Sequence, residues 1–166
     1  TTTLYSCLNC PDCFNQNIMT IEDPVEFELS GVTQVQVQNK RGLTFSAGVR
    51  ALLRQDADTL MIGEIRDEET VQIAIRAALS GTLVLSTIHA NSATGAVASL
   101  MQLGVTGFSA GNALSGVVFQ RLVHRICKNC REPYEADEME RKELQIEGED
   151  PVTLYRSRGC ASCFRT

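Results

Sequence analysis

Along the chain the apolar positions change period several times, and each change marks an element. The opening TTTLYSCLN puts Leu4, Cys7 and Leu8 at helical spacing, which predicts a helix that buries Cys7 and ends before Pro11. Residues 17–23, NIMTIED, read as an apolar strand running into a carboxylate pair, and Pro24 stops it. Residues 33–37 alternate polar and apolar, the period of a half-exposed strand. From Phe45 the period lengthens, with Phe45, Val49, Leu52 and Leu53 on one helical face and Arg50 and Arg54 together on another. A buried strand over 59–65 carries Glu64 at its end. Asp67 is then placed to cap a helix whose inward face is Val71, Ala74, Ile75, Ala78 and Leu79 and whose close is Gly81. The continuous apolar run 83–88 predicts a strand covered on both faces, with His89 and Ala90 where it ends. Helices are expected at about 93–103 and 109–125, the second turning Leu114, Val117, Val118 and Leu122 inward.

Strands alternating with helices predict an α/β fold with a largely parallel sheet. In such sheets ligands bind beyond the C-terminal ends of the strands. Glu22 and Asp23, Glu64 and Arg66, and His89 all fall at that edge. Each has an ordinary alternative, since a carboxylate after a strand is often a cap or a loop charge and a single histidine is often structural. Ionisable groups at three strand ends favour a site over three coincidences.

Composition narrows the picture. A chain of 166 residues with 43% hydrophobic content can bury one main core with a small appendage. No run approaches the ~18 apolar residues of a membrane span and no charged-then-apolar leader opens the sequence, so a soluble intracellular protein is expected. The net charge is −5 and the basic residues are scattered, which argues against direct nucleic-acid binding. Seven cysteines in such a chain read as metal ligands and thiols rather than a disulfide framework. Two CxxC pairs, Cys127 with Cys130 and Cys160 with Cys163, flank residues 131–159. Two thiolate knuckles can close a tetrahedral Zn²⁺ site with no open position, so the expected site is structural. The acidic run from Glu135 to Asp150 is expected to project as a helix or loop. Cys7, Cys10 and Cys13 could belong to an iron–sulfur or second zinc site. With no fourth ligand in sight, they read instead as one buried helix residue and two loop thiols.

Several strings carry a family resemblance. IEDPVEF (21–27), GLTFSAGVRALLRQDADTLMIGEIRDEET (42–70) and LVLSTIHANSA (83–93) resemble, in order and spacing, the aspartate box, Walker B region and histidine box of the type II secretion and type IV pilus assembly ATPases. QRLVHRICKNC (120–130) resembles that family's entry into its tetracysteine module. The resemblance implies a RecA-like P-loop NTPase core over 1–125 and a zinc module over 126–166. It aligns Thr1 with the hydroxyl that ends the phosphate loop GxxxxGK[ST], whose glycines and lysine this chain does not contain.

Carried over by position, the resemblance gives Glu22 the task of polarising the attacking water and Glu64 the Walker B position, the two ranked as a pair for the role of base. It has Asp23 support the same turn or meet water or metal, and Thr1 ligate Mg²⁺. Arg50, Arg54 and Arg66 become charge stabilisers or subunit contacts, and His89 a γ-phosphate sensor or subunit contact. Many members carry histidine where this chain has Thr82, so any role that needs two histidines is not supported here. The implied parent is a cytoplasmic homo-hexameric ATPase using ATP, Mg²⁺ and Zn²⁺. It would sit peripherally at an inner-membrane platform with assembly proteins and power pilus or pseudopilus assembly or type II secretion. This chain alone is expected to be inactive. A non-catalytic docking module of a secretion or competence apparatus is the alternative from another class, and a zinc-ribbon nucleic-acid binder is a weaker third.

Overall fold

The computed structural model describes residues 2–9, 15–148 and 150–164. Two compact units form, Thr1–Phe119 and Gln120–Thr166.

The first unit is built on a four-stranded parallel sheet in the order β2-β1-β3-β4, with β1 Ile18–Glu22, β2 Val32–Gln36, β3 Thr59–Ile62 and β4 Leu83–Ser86. The two-residue period of the strands sends successive side chains to opposite faces. Met19, Ile21, Leu60 and Ile62 point to one face, where they form a core with Val49 and Leu52 of α2 (Phe45–Leu52) and Ile73 and Ala74 of α3 (Glu68–Leu79). Ile18 and Met61 point to the other face and pack with Tyr5 and Leu8 of α1 (Thr2–Leu8). A third cluster, Val71, Leu100, Val105 and Ala110, joins α3 to α4 (Ala93–Gln102) and α5 (Gly107–Ala113).

Local chemistry sets the element ends. Thr44, Asp67, Ser92 and Thr106 each accept a backbone N–H in the first turn of α2 to α5. At the close of α3, Gly81 takes φ +107 and its N–H reaches Ala78 while that of Thr82 reaches Ala77, the left-handed stop expected of glycine there.

Four expectations need correction. Cys7 is exposed, because Tyr5 and Leu8, three residues apart, take the inward face of α1. The inward face of α3 is Thr70, Val71, Ile73, Ala74 and Ala77, with Ile75 and Ala78 half-buried and Leu79 exposed. β4 is covered only in part: Val84 packs on one core and Leu85 on the other, but Leu83 is exposed and the rest half-buried, as among the described residues the strand pairs only with β3 and borders the sheet. The long helix over 109–125 is the short α5 alone. Leu114 adopts an extended backbone and packs onto the third cluster, whereas Val118 and Leu122 are exposed, the latter at 98%. Gly111, Gly116 and the β-branched pair Val117 and Val118 weaken helix propensity across that run.

The second unit is an antiparallel ribbon of β5 (Arg131–Glu135) and β6 (Thr153–Ser157) with the short α6 (Glu138–Glu143) at its tip. Asp137 and Glu140 close a capping box on α6, and Arg141 donates to the carbonyls of Gly148 and Asp150. Cys10 and Cys13 lie outside the described residues. Among the described residues no helix is long and apolar enough to cross a membrane.

Candidate active site and metal centre

The strand ends meet at one edge of the sheet. The N–H of Gly63, just past β3, donates to the carbonyl of Ile21 at 2.8 Å, setting Gly63 beside Glu22. The N–H of Ile65 donates to the carbonyl of Thr87 at 3.1 Å, and the Thr87 hydroxyl donates to that of Gly63 at 2.7 Å. The segments after β1, β3 and β4 are thereby tied side by side.

Glu22 is the most deeply placed of the sequence-predicted residues, at 2% exposure. Strand parity puts it on the α1 face together with Thr20 and, across the register, Gln34. Its Oε1 accepts from the Thr20 hydroxyl at 2.5 Å and from Gln34 Nε2 at 3.1 Å, and its Oε2 accepts from the Tyr5 hydroxyl. A buried carboxylate without partners would be costly, and these three donors compensate for the water it has lost. The Tyr5 hydroxyl is also acceptor for the N–H of Glu26 at 3.2 Å. Burial, and then the hydrogen bond to Glu22, push its pKa up, so at neutral pH the phenol keeps the proton that it donates.

Glu64, with 15% of its side chain exposed, lies at 2.6 Å from Arg66 and has His89 Nε2 at 3.9 Å from its other oxygen. His89 is itself 93% exposed, and Asp23 is exposed beyond the end of β1. Arg50 is not brought to either glutamate. It pairs with Glu69 of α3 at 2.7 Å, and its guanidinium holds the Glu69 carboxyl below the usual range. Arg54 is exposed in the single 3-10 turn after α2, and Thr1 lies outside the described residues. Tyr5, Thr20 and Gln34 escape a motif reading because none is ionised at neutral pH. The signal is nonetheless present, since Thr20 and Glu22 share one strand face and Gln34 alternates on the next strand.

In the ribbon unit, Cys127, Cys130, Cys160 and Cys163 gather so that all four Sγ atoms lie within 4.8 Å of one another. Individual separations are 3.9 Å for Cys127 to Cys160, 3.8 Å for Cys130 to Cys163 and 3.9 Å for Cys160 to Cys163. Four sulfurs each ~2.3 Å from a common zinc would stand about 3.8 Å apart, so donor set and spacing both fit a tetrahedral ion. The β5–β6 ribbon accounts for the long spacer, because it carries the chain out from Cys130 and back to Cys160. The backbone N–H groups of Cys163 and Ser162 pull the Cys160 thiol down to about 7. Cys127 is raised despite the N–H of Asn129, as burial and the surrounding thiols favour its protonated form.

The model for "Type II/IV secretion system protein" matches residues 1–166. The chain belongs to the type II/IV secretion system protein family. Curated members similar to it include the type II secretion system protein E of Pseudomonas aeruginosa, 49% identical over 165 residues, 99% of this chain and 33% of that protein. The type II secretion system ATPase E of Vibrio cholerae is 48% identical over 98% of this chain and 32% of that protein. The chain thus spans about a third of the length of these secretion-system relatives. Among solved structures, the pilus retraction motor PilT with bound ADP aligns over 97% of this chain and 43% of its own, with TM-score 0.58 and 24% identity, a likeness of fold alone. The VirB11 ATPase of the Brucella suis type IV secretion system aligns over 61% of this chain and 30% of its own, at 27% identity and TM-score 0.51.

Proposed function

We propose that this chain is part of a motor ATPase that couples ATP hydrolysis to type II protein secretion or to pilus or pseudopilus assembly. The observation that carries this is the placement of Glu22 at the end of β1 and of Glu64 just beyond the adjacent strand β3 of a parallel sheet, in a chain of this family. Residues 1–125 form its RecA-like core and 126–166 its zinc-held module.

In this reading Glu22 is the acceptor for a proton of the attacking water. Its fixed carboxylate suits the task, since phosphoryl transfer depends on positioning more than on covalent chemistry. Glu64 acts at the Walker B position, where Arg66 and His89 hold it, and Thr1 supplies a hydroxyl ligand for Mg²⁺. Mg²⁺ bound there would supply charge neutralisation over the phosphates. Asp23 supports the turn after β1. Arg50 and Arg54, on the outer side of α2 and its following turn, face a neighbouring subunit of a homo-hexamer, and Arg50 would exchange Glu69 for that contact. The whole protein works in the cytoplasm, held peripherally at an inner-membrane platform. Cys127, Cys130, Cys160 and Cys163 hold a structural Zn²⁺.

Glu22→Gln in the longer protein containing this chain tests the central assignment. The amide keeps the size and loses the charge, so turnover should fall roughly a hundredfold or more while nucleotide affinity is retained. Unchanged turnover would remove Glu22 from the chemistry.

A further inference from the structure

The three donors around Glu22 do more than satisfy a buried charge. A carboxylate offers about four lone-pair sites. Thr20 and Gln34 occupy Oε1, and Tyr5 occupies one site on Oε2, which leaves a single acceptor direction, on Oε2. Two of these donors are themselves held. Gln34 accepts the N–H of Leu29 at 2.7 Å on its own oxygen and donates to the Phe27 carbonyl at 3.2 Å, so its amide cannot turn without breaking several bonds. The Tyr5 hydroxyl accepts the Glu26 N–H, which fixes its direction, while its ring packs edge-on against Phe27 with centroids 4.4 Å apart, a packing contact that does not orient the hydroxyl. The loop after β1, helix α1 and strand β2 are therefore all fastened to one carboxylate.

We propose that Tyr5 and Gln34 are positioning residues for Glu22: they fix the plane of its carboxylate and leave one Oε2 site free to accept the proton of the attacking water. This rests on the reading of Glu22 as the proton acceptor. Without Tyr5 the carboxylate keeps two donors on Oε1 and can pivot about them, and the free direction is no longer unique. Aim matters in such a step, because effective catalysis by a positioned group requires the reacting atoms to be held in near-attack geometry. Tyr5 lies on the helix that opens the chain, so the same hydroxyl ties the aim of Glu22 to the placement of α1.

The test uses the longer protein and compares Tyr5→Phe, Gln34→Met, Phe27→Leu and Glu22→Gln in steady-state ATP hydrolysis, with ADP affinity and thermal midpoint measured alongside. Tyr5→Phe keeps the ring and removes the hydroxyl, with both its donation to Glu22 and its acceptance of the Glu26 N–H. It should lower kcat about tenfold, the usual scale for one hydrogen bond to a charged group, while KM stays within about twofold. Gln34→Met should give the same split, and Phe27→Leu, which loosens the ring contact but spares every donor to Glu22, should keep the parental kcat. If Tyr5→Phe and Gln34→Met turn over at the parental rate while Glu22→Gln is inactive, the positioning role is wrong and the assignment of Glu22 stands. Equal losses in Tyr5→Phe and Phe27→Leu would make Tyr5 a packing residue and also overturn the proposal. Parental turnover in Glu22→Gln would defeat the assignment of Glu22 itself and the positioning role with it. Should Tyr5→Phe not fold, the kcat of Gln34→Met decides, a parental value counting against the proposal.

Discussion

Gly48 shows how one position fixes the distance between a helix and the sheet. A Cβ there would stand 1.8 Å from Cδ1 of Ile21, a fully buried side chain of β1. Glycine is a poor helix former, and its place in the middle of α2 is explained by the space it leaves. Gly48→Ala should therefore destabilise the protein by about 1–3 kcal/mol despite the better helix propensity of alanine, as overpacking does in a filled core. A urea midpoint at or above the parental one would contradict this. Positions along the chain locate Glu22, Glu64 and His89 at strand ends, because strand ends are visible as changes of period. They do not reveal that Gly48 faces Ile21 or that Tyr5 faces Glu22, since those pairs depend on how helices lie across the sheet.

At the scale of elements, the ribbon unit has few internal means of support. Among its described residues only Cys130 and Ala136 are buried hydrophobics, so a metal would supply much of what a core cannot. Protein prepared under reducing conditions should contain about one zinc per chain, and Cys130→Ser should release it. Hydrogen exchange should then speed up over residues 126–166 far more than in β1 and β3; zinc-free fresh protein would end the idea. The two CxxC spacings make this cluster legible in the amino-acid order itself, because knuckle geometry is local along the chain. The intervening ribbon is less so: Arg131, Pro133 and Glu135 are polar or non-pairing residues, and they alternate with Glu132 and Tyr134 without an apolar face. The apolar spacing of Leu114, Val117, Val118 and Leu122 points to a helix, yet spacing alone does not outweigh two glycines and a β-branched pair.

At the scale of the whole chain, the sequence contains no GxxxxGK motif, so nothing replaces the lysine and loop amides that hold the phosphates. Glu22, Asp23 and Glu64 then face a polyanion with like charge. The chain by itself should release no phosphate from Mg·ATP above background and should bind it more weakly than micromolar in a calorimetric titration. Micromolar affinity with steady turnover would mean that Thr1, Glu22 and Glu64 are wrongly assigned. The order of strands and helices is readable at this scale, because alternating periods dictate an α/β layer arrangement. The exposure of β4 is not, since an apolar run states that a strand can be covered and not what covers it. That border strand has a consequence for the chain in solution. Among the described residues no strand pairs with its outer edge, and Leu83–Ser86 contain no proline or lysine of the kind that usually blunts such an edge. This chain by itself should therefore self-associate increasingly as its concentration rises, and light scattering that stays flat with concentration would contradict this.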